Sequence, residues 1–378
     1  MAVNKLSSPF GPYDSGTYYL SDGWDSAWKF AKIQSAHQPV VVNIMGDSIS
    51  VGVNRSYARS FGNQLAQYLQ STYGAYGDYW PTSYGYLGSF GPWSSAASSA
   101  VYTGGGPFGE FLYSSSLAAS ALQTWTAPYP VTAMDFLWWD NFTNSATWQY
   151  SIDGAAGTTI TNAATAVNFI RRTSVTGLSY APHTFSWGWQ SANAACASGG
   201  LSVLLPGATS GIYIARHGGP GASTQWFNTE PGDFTGIASV GRGLTGLPTG
   251  AQLSIIELSA NDINGGLAIG AFQQALTQLI RGLRRAQFNC SIAFVITSYP
   301  DGTIDDASSA AAGFANQTTA YTWHQAIYQI AQHQGCAVVD VHKRWGATPF
   351  AKGFLPSGNL HPLEAGQNDI TTAIQEIL

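Results

Sequence analysis

Residues 40–50 read VVVNIMGDSIS, a run of apolar and β-branched residues that stops at Gly46-Asp47-Ser48. Such a run predicts a buried β-strand. An acid and a hydroxyl directly after it suit a helix start, because both side chains accept hydrogen bonds from the free N–H groups of a first turn. The same place suits a reactive serine, because ligands of open α/β sheets bind at the carboxyl ends of the strands. The stretch alone leaves capping and a nucleophile open.

The segments on either side of this strand indicate an α/β fold. Apolar residues recur at helical spacing in 23–36 and in 61–74, which flank the strand at 39–45. From residue 211 onward, strands and helices alternate again, which is typical of a sheet covered by helices. The predicted strands there are 211–216, 252–258, 291–297 and 337–342, and the predicted helices are 271–286, 319–334 and 364–378.

The middle of the chain has a different pattern. A stretch rich in Gly, Ser and Ala, 90–130, is followed by closely spaced runs of alternating polarity, which favour an antiparallel sandwich or jelly roll. We therefore predict a first α/β part at 1–95, an inserted antiparallel β-sandwich at 96–211, and a second α/β part at 212–378. The predicted strands of the insert are 131–140, 147–154, 166–175, 183–190 and 200–207.

Composition narrows the classes of function. Only 9% of the 378 residues are charged and the net charge is -5, which argues against a nucleic-acid partner. No apolar run reaches the ~18 residues of a membrane span. The low charge favours an extracellular or virion-associated protein, although the N-terminus lacks the pattern of a signal peptide. The three cysteines form no zinc pattern, and we expect Cys290 and Cys336 to be buried free thiols that lie close together.

Four polar clusters follow predicted strands or lie in a late loop. If the strands are parallel, their carboxyl ends bring these clusters to one crevice. A serine, a glycine-rich loop, an amide side chain and a histidine suffice for acyl transfer, with neither metal nor cofactor. The clusters are 46–48, 216–223, 259–264 and 357–366.

In this order, the clusters resemble the four sequence blocks of the SGNH/GDSL hydrolase superfamily. The resemblance covers 1–95 and 211–378, and the middle segment resembles the carbohydrate-binding-type sandwich that is inserted in some members. It implies a three-layer α/β/α, flavodoxin-like fold with a parallel sheet, and a serine esterase activity.

The resemblance also implies a role for each matching residue. Ser48 would be the nucleophile, and its own N–H would enter the oxyanion hole. Gly218 would donate a second N–H, and Asn261 would donate its side-chain amide. His361, followed by a proline, would be the general base, while Asp47 would brace the turn.

Two positions depart from the family pattern. The third block usually reads Gly-x-Asn-Asp, and Ser259 stands in place of its glycine, a tolerable change because the amide of Asn261 is retained. The last block usually reads Asp-x-x-His, but Gly358 stands where the acid is expected before His361. That acid normally fixes the imidazole tautomer and stabilises its cation. A backbone carbonyl or Asn359 would be a neutral substitute, and Asp301 or Asp305 would be a carboxylate from another loop. Loss of activity, leaving a fold that only binds, is the remaining alternative.

These observations predict a serine esterase that removes small acyl groups, O-acetyl in particular, from a polysaccharide. The expected partner is an acylated polysaccharide or a small ester. One alternative is a short-chain carboxylesterase or lipase that acts on non-carbohydrate esters. The other is a catalytically weak or inactive carbohydrate-binding or adhesion protein of a phage tail or cell surface.

Overall fold

We analysed a computed structural model of the chain. The structure describes residues 13–14, 16–52, 59–81, 93–95, 101–102, 112–113, 123–140, 147–161, 169–189, 197–218, 221–225, 227, 250–297, 317–346, 348–356 and 360–378.

The described residues form eighteen strands and seven helices. The strands are β1 (Tyr13–Asp14), β2 (Tyr18–Leu20), β3 (Pro39–Gly46), β4 (Ala75–Pro81), β5 (Trp93–Ser95), β6 (Val101–Tyr102), β7 (Leu112–Tyr113), β8 (Gln123–Thr126), β9 (Val131–Asp140), β10 (Thr147–Ile152), β11 (Thr158–Thr161), β12 (Phe169–Ala181), β13 (Thr184–Trp189), β14 (Ala197–Leu204), β15 (Gly211–Gly218), β16 (Leu253–Glu257), β17 (Ser291–Ile296) and β18 (Ala337–Asp340). The helices are α1 (Ser26–Gln34), α2 (Phe61–Tyr73), α3 (Ala260–Asn264), α4 (Ile269–Ala286), α5 (Gln317–Gln334), α6 (Val341–Trp345) and α7 (Glu364–Gln375).

A parallel sheet forms the centre of the α/β part. Its strands lie in the order β18-β17-β16-β3-β15-β4, and every neighbouring pair among them is parallel. Numbered along the chain, β3, β15, β16, β17 and β18 stand in the order 2-1-3-4-5 of flavodoxin-like folds. The strand β3 therefore lies at the point where the strand order reverses, which is where such sheets bind ligands.

Helices cover both faces of this sheet. The side chains of β3 alternate between two apolar cores: Val41 and Met45 pack with α4 and α5, while Val42 and Ile44 pack with α1, α2 and α7. Strands buried on both faces read as continuous apolar runs, which explains the sequence of β3. The structure confirms the predicted three-layer α/β/α architecture.

The strands of the middle segment pair antiparallel, in two sheets. One is a separate five-stranded sheet with the order β11-β10-β13-β8-β5. The other, which contains β9, β12 and β14, continues the parallel sheet, because β14 pairs antiparallel with β4. The α/β part and the middle segment thus share one hydrogen-bonded sheet, and the boundaries at 96 and 211 stay a prediction.

An aromatic core lies between the two sheets. The ring of Phe136 on β9 lies 4.9 Å from that of Phe185 and 5.7 Å from that of Trp187, both on β13. Val51, only three residues after Ser48, belongs to the same buried cluster. The middle segment therefore packs against the turn that carries the predicted nucleophile.

The predicted strand at 337–342 was wrong in its second part. The pattern of 337–342 predicted a single strand, but β18 ends at Asp340 and helix α6 begins directly after it. The Asp340 carboxylate accepts a hydrogen bond of 2.8 Å from the N–H of Lys343, which caps the new helix.

Two further findings concern expectations from composition. Cys290 and Cys336 are buried free thiols, as predicted. Among the helices that the structure describes, none has the length and apolarity that a membrane crossing requires.

Candidate active site

The turn after β3 holds Ser48 at the carboxyl edge of the sheet. A Cβ on Gly46 would come within 2.6 Å of Ser50 Cβ, so only glycine lets the chain turn this tightly. The Asp47 carboxylate accepts a hydrogen bond of 2.8 Å from the N–H of Ile49, and Ser50 Oγ donates to the Asp47 carbonyl over 2.8 Å. Asp47 therefore braces the turn, which leaves the Ser48 hydroxyl available to another partner.

That partner is His361. Ser48 Oγ lies 2.9 Å from His361 Nε2, although 313 residues separate the two in the sequence. Burial lowers the pKa of His361 to about 4. The ring is therefore neutral at pH 7 and able to accept a proton from the serine.

A glutamine that the sequence analysis missed ties the serine turn to the last helix. Gln367, fully buried on α7, donates from Nε2 to the carbonyl of Ile49 over 3.1 Å. Its Oε1 accepts a hydrogen bond of 2.8 Å from the N–H of Phe61, the first residue of α2. Gln367 follows His361 by six residues, so this contact fixes the histidine segment against the serine turn. The sequence pattern gave no signal of this role, because a polar residue on a predicted helix is normally read as exposed.

Besides the N–H of Ser48, the predicted oxyanion donors lie at or after the ends of the two strands that flank β3. Gly218 is the last residue of β15 and stands in parallel register with Gly46. On the other side, β16 ends at Glu257, opposite the same glycine, and leads into α3 with Asn261. The sheet thus brings the predicted second and third blocks to the edge where the first block turns.

Asn261 links the serine turn to the glycine loop. Its Nδ2 donates to Asp47 Oδ2 over 3.1 Å and to the carbonyl of Ala222 over 2.9 Å. The next residue, Asp262, is buried and accepts hydrogen bonds from both the N–H (3.0 Å) and the hydroxyl (2.6 Å) of Thr224. Burial raises the pKa of Asp262 to about 6. Helix α3 therefore clamps the segment that follows Gly218.

A buried ion pair anchors the strand that leads to Gly218. Arg216 donates to Asp78 on β4 over 2.7 Å, and both side chains are almost fully buried. The Tyr129 hydroxyl donates to the same carboxylate over 2.9 Å, and the guanidinium lies 4.2 Å from the ring centre of Trp80. Removing one partner of such a buried pair strongly destabilises a protein. The sequence analysis missed this network, because Arg216 and Asp78 are far apart in the chain.

Several predicted residues lie outside the part that the structure describes. Asn359, Asp301 and Asp305, the predicted partners of the His361 ring, are among them, as is Gly358. Within the described ranges, no group of three or more His, Cys, Asp or Glu side chains could hold a metal ion.

The comparisons with known proteins agree with this arrangement. Residues 186–368 match the family model described as GDSL-like lipase/acylhydrolase; this range contains Gly218, Asn261 and His361 but not Ser48. A solved structure described as a peptidoglycan O-acetylesterase superposes over 94% of both chains, with a TM-score of 0.61 and 15% identity. At this identity, the likeness establishes the fold alone.

Two other solved structures overlap less well. A lipase/acylhydrolase from Enterococcus faecalis covers 44% of this chain and 76% of its own, with 16% identity and a TM-score of 0.35. A family two carbohydrate esterase from Clostridium thermocellum, in complex with cellohexaose, covers 68% and 91%, with 10% identity and a TM-score of 0.30. No curated protein sequence matches the chain significantly. Residues 186–368 are therefore similar to a GDSL-like lipase/acylhydrolase domain, and the fold of the whole chain is shared with a solved esterase structure.

Proposed function

We propose that the protein is a serine esterase that removes small acyl groups, O-acetyl in particular, from a polysaccharide. The observation that carries the proposal is the 2.9 Å contact between Ser48 Oγ and His361 Nε2. It joins a hydroxyl at the carboxyl edge of a parallel sheet to a neutral base, which is the arrangement that activates a serine nucleophile.

In the acylation step, Ser48 Oγ attacks the carbonyl carbon of the ester and its proton passes to His361 Nε2. The carbonyl oxygen becomes an oxyanion, which the N–H groups of Ser48 and Gly218 and the amide of Asn261 would stabilise. When the bond to the alcohol breaks, the imidazolium returns its proton to the departing sugar oxygen. The acyl group then remains on Ser48.

In the deacylation step, a water molecule attacks the acyl carbon and gives a proton to His361. The second oxyanion occupies the same donors. Its collapse breaks the bond to Ser48 Oγ, which takes the proton back from the ring and releases the free acid. The cycle uses one base twice and consumes one water.

The buried ring has a consequence for this cycle. Burial holds the pKa of His361 near 4, which keeps the base free of protons at neutral pH but weakens it as an acceptor. A group that stabilises the imidazolium would offset this weakness. We infer that Asn359, a backbone carbonyl, Asp301 or Asp305 supplies that contact, with a neutral partner preferred, as the sequence indicated.

Two features support a polysaccharide substrate. The inserted segment packs against the serine turn through a core that includes Val51, so it can shape one wall of the substrate cleft. The whole-chain fold is shared with a structure described as a peptidoglycan O-acetylesterase. An extracellular or virion-associated location would give the enzyme access to such polymers.

Turnover of p-nitrophenyl acetate, with Ser48→Ala as the matched control, tests the esterase. We expect turnover by the wild-type protein and loss of nearly all activity in the folded variant. No turnover of any ester would instead favour a binding or adhesion protein.

Acetate release from acetylated glycans, compared with hydrolysis of butyryl and octanoyl esters, tests the substrate class. A preference for acetylated glycans supports the proposal. Faster hydrolysis of the longer or non-carbohydrate esters would favour a short-chain carboxylesterase or lipase.

A further inference from the structure

Two carboxyl groups lie together beneath the serine turn. Glu257 ends β16 directly opposite Gly46 of β3, the residue before Asp47. Glu257 and Asp47 are both buried, with 1% and 0% of their surfaces exposed, and the N–H of Asp47 donates to Glu257 Oε2 over 3.4 Å, which places the two carboxyl groups close enough to interact. Catalysis as described above uses Asp47 only as a brace and does not use Glu257.

The neighbours of the pair distinguish its two members. Asp47 accepts hydrogen bonds from the N–H of Ile49 (2.8 Å) and from Asn261 Nδ2 (3.1 Å). Glu257 accepts a short hydrogen bond from the Thr297 hydroxyl and a longer one, 3.4 Å, from the N–H of Asp47. Asp47 thus accepts one hydrogen bond from the serine turn and one from the Asn261 amide. Both hydrogen bonds favour the charged form of Asp47.

Two buried carboxylates in contact do not both ionise, because the second charge is repelled by the first and has no water to solvate it. Burial raises the pKa of Glu257 well above its usual range, and proximity to Asp47 raises it further. Burial also raises the pKa of Asp47, to about 7, although the hydrogen bonds that it accepts oppose the shift. The single proton therefore resides on Glu257.

We propose that Glu257 is a positioning residue, whose carboxylic O–H donates to Asp47 and so holds the acceptor that orients Ile49 and the Asn261 amide. The role rests on the proposed esterase function, because the Asn261 amide matters through the oxyanion. In this structure both hydrogens of that amide are engaged, one by Asp47 and one by the Ala222 carbonyl, so donation to the oxyanion requires the amide to release or share the hydrogen bond to Ala222 while Asp47 holds the other hydrogen. A shift of Asp47 would therefore turn the amide.

Ionisation of Glu257 should disturb this arrangement. The groups that face the pair are Thr297 on β17, Asn261 and Asp262 on α3, and the serine turn, with His361 hydrogen-bonded to Ser48. Of these, Asp262 adds a negative charge that raises the pKa of Asp47. No described cation is among them, so a second charge on the pair would push Asp47 away from Glu257.

The test compares two substitutions of the same residue. Glu257→Gln keeps a donor toward Asp47 and an acceptor for Thr297 but cannot ionise, so kcat at pH 7 should stay within about threefold of wild type. Ionisation of Glu257 should lower kcat of the wild type at alkaline pH, and this decline should be absent in Glu257→Gln. Glu257→Leu removes the donor, and we expect kcat to fall on the order of tenfold or more with KM unchanged. Thr297→Val, which changes only the far side of Glu257, is the matched control and should have a small effect.

Either of two kinetic results would overturn the proposal. Glu257→Gln as slow as Glu257→Leu would mean that a charged carboxylate is required, and wild-type rates in both would mean that Glu257 positions nothing. If Glu257→Leu does not fold, the alkaline limb of Glu257→Gln decides instead: a decline identical to that of the wild type would overturn the proposal.

An infrared measurement separates this proposal from the esterase function. The Ser48→Ala protein at pH 7 should show the C=O stretch of a buried carboxylic acid, and Ser48→Ala combined with Glu257→Gln should lack it. This readout needs no turnover. Absence of the band in the Ser48→Ala protein would overturn the assignment of the proton even if the enzyme is active, whereas an inactive wild type with the band would count against the esterase alone.

Discussion

Asn261→Ala tests the assignment of the oxyanion hole. The amide of Asn261 would donate to the oxyanion in the transition state, and loss of one such donor typically lowers kcat by about 10²–10³-fold, or about 2.7–4 kcal/mol. Because the ground-state ester carries no such charge, KM should change little. The expected result is therefore a loss in kcat alone.

The structure adds a second, separate effect of this substitution. Alanine would remove the donor of two hydrogen bonds, to Asp47 Oδ2 and to the Ala222 carbonyl. A buried acceptor left without a donor costs about 1–3 kcal/mol. The free energy of unfolding should fall by about that amount for the Asp47 acceptor, which is fully buried. The substitution should thus lower both the free energy of unfolding and kcat, and separate experiments measure the two effects.

Initial rates with p-nitrophenyl acetate over a range of concentrations give kcat and KM, and urea unfolding gives the stability. The rates should be measured well below the unfolding transition. The matched control is Asn264→Ala, an exposed asparagine at the end of the same short helix, which should leave kcat and stability unchanged. A rise in KM with kcat unchanged would place Asn261 in substrate binding and refute the oxyanion assignment.

Three further outcomes are expected. The pH profile of kcat/KM should show loss of activity as pH falls through about 4, because the neutral ring of His361 is the base and burial holds its pKa there, while protonation of Asp47, whose pKa burial raises to about 7, should add only a partial step; complete loss of activity between pH 7 and 6 would contradict the buried ring. Asp262→Ala should destabilise the fold by about 1–3 kcal/mol, since the N–H and hydroxyl of Thr224 lose their acceptor, and a wild-type urea midpoint would count against this contact. Gly358→Asp should raise kcat and move the acid limb to higher pH, because a carboxylate stabilises the imidazolium; Gly358→Asn is the uncharged control, and an equal gain in both would show that charge is not the cause.

The α/β part was predictable because its strands are buried on both faces. The runs at β3, β16 and β17 are continuously apolar, and each is followed within a few residues by a polar cluster or a helix with clear apolar spacing. The contact between Ser48 and His361 was implied by the family resemblance, and its geometry follows from the sheet and from the position of α7. Composition or periodicity alone would not have predicted a contact between Ser48 and His361, which are 313 positions apart in the sequence.

What escaped the sequence analysis depends on contacts between distant residues. The shared sheet arises because β14 pairs with β4. The pattern of polar and apolar residues in a strand does not show which other strand it pairs with. Gln367, Glu257 and the pair of Arg216 with Asp78 are polar residues in otherwise ordinary helices and strands. Their roles come from burial against partners that only the fold brings together, so a local pattern could not reveal them.

Covalent trapping of the nucleophile tests the central claim most directly. The protein should be treated with phenylmethylsulfonyl fluoride, which sulfonylates activated serines, and the intact mass and peptide map should be recorded beside the remaining esterase activity. We expect one adduct per chain, on Ser48, formed in step with the loss of activity, and no adduct in Ser48→Ala. An active enzyme whose adduct lies on another residue, or which keeps full activity after Ser48 is modified, would contradict the account.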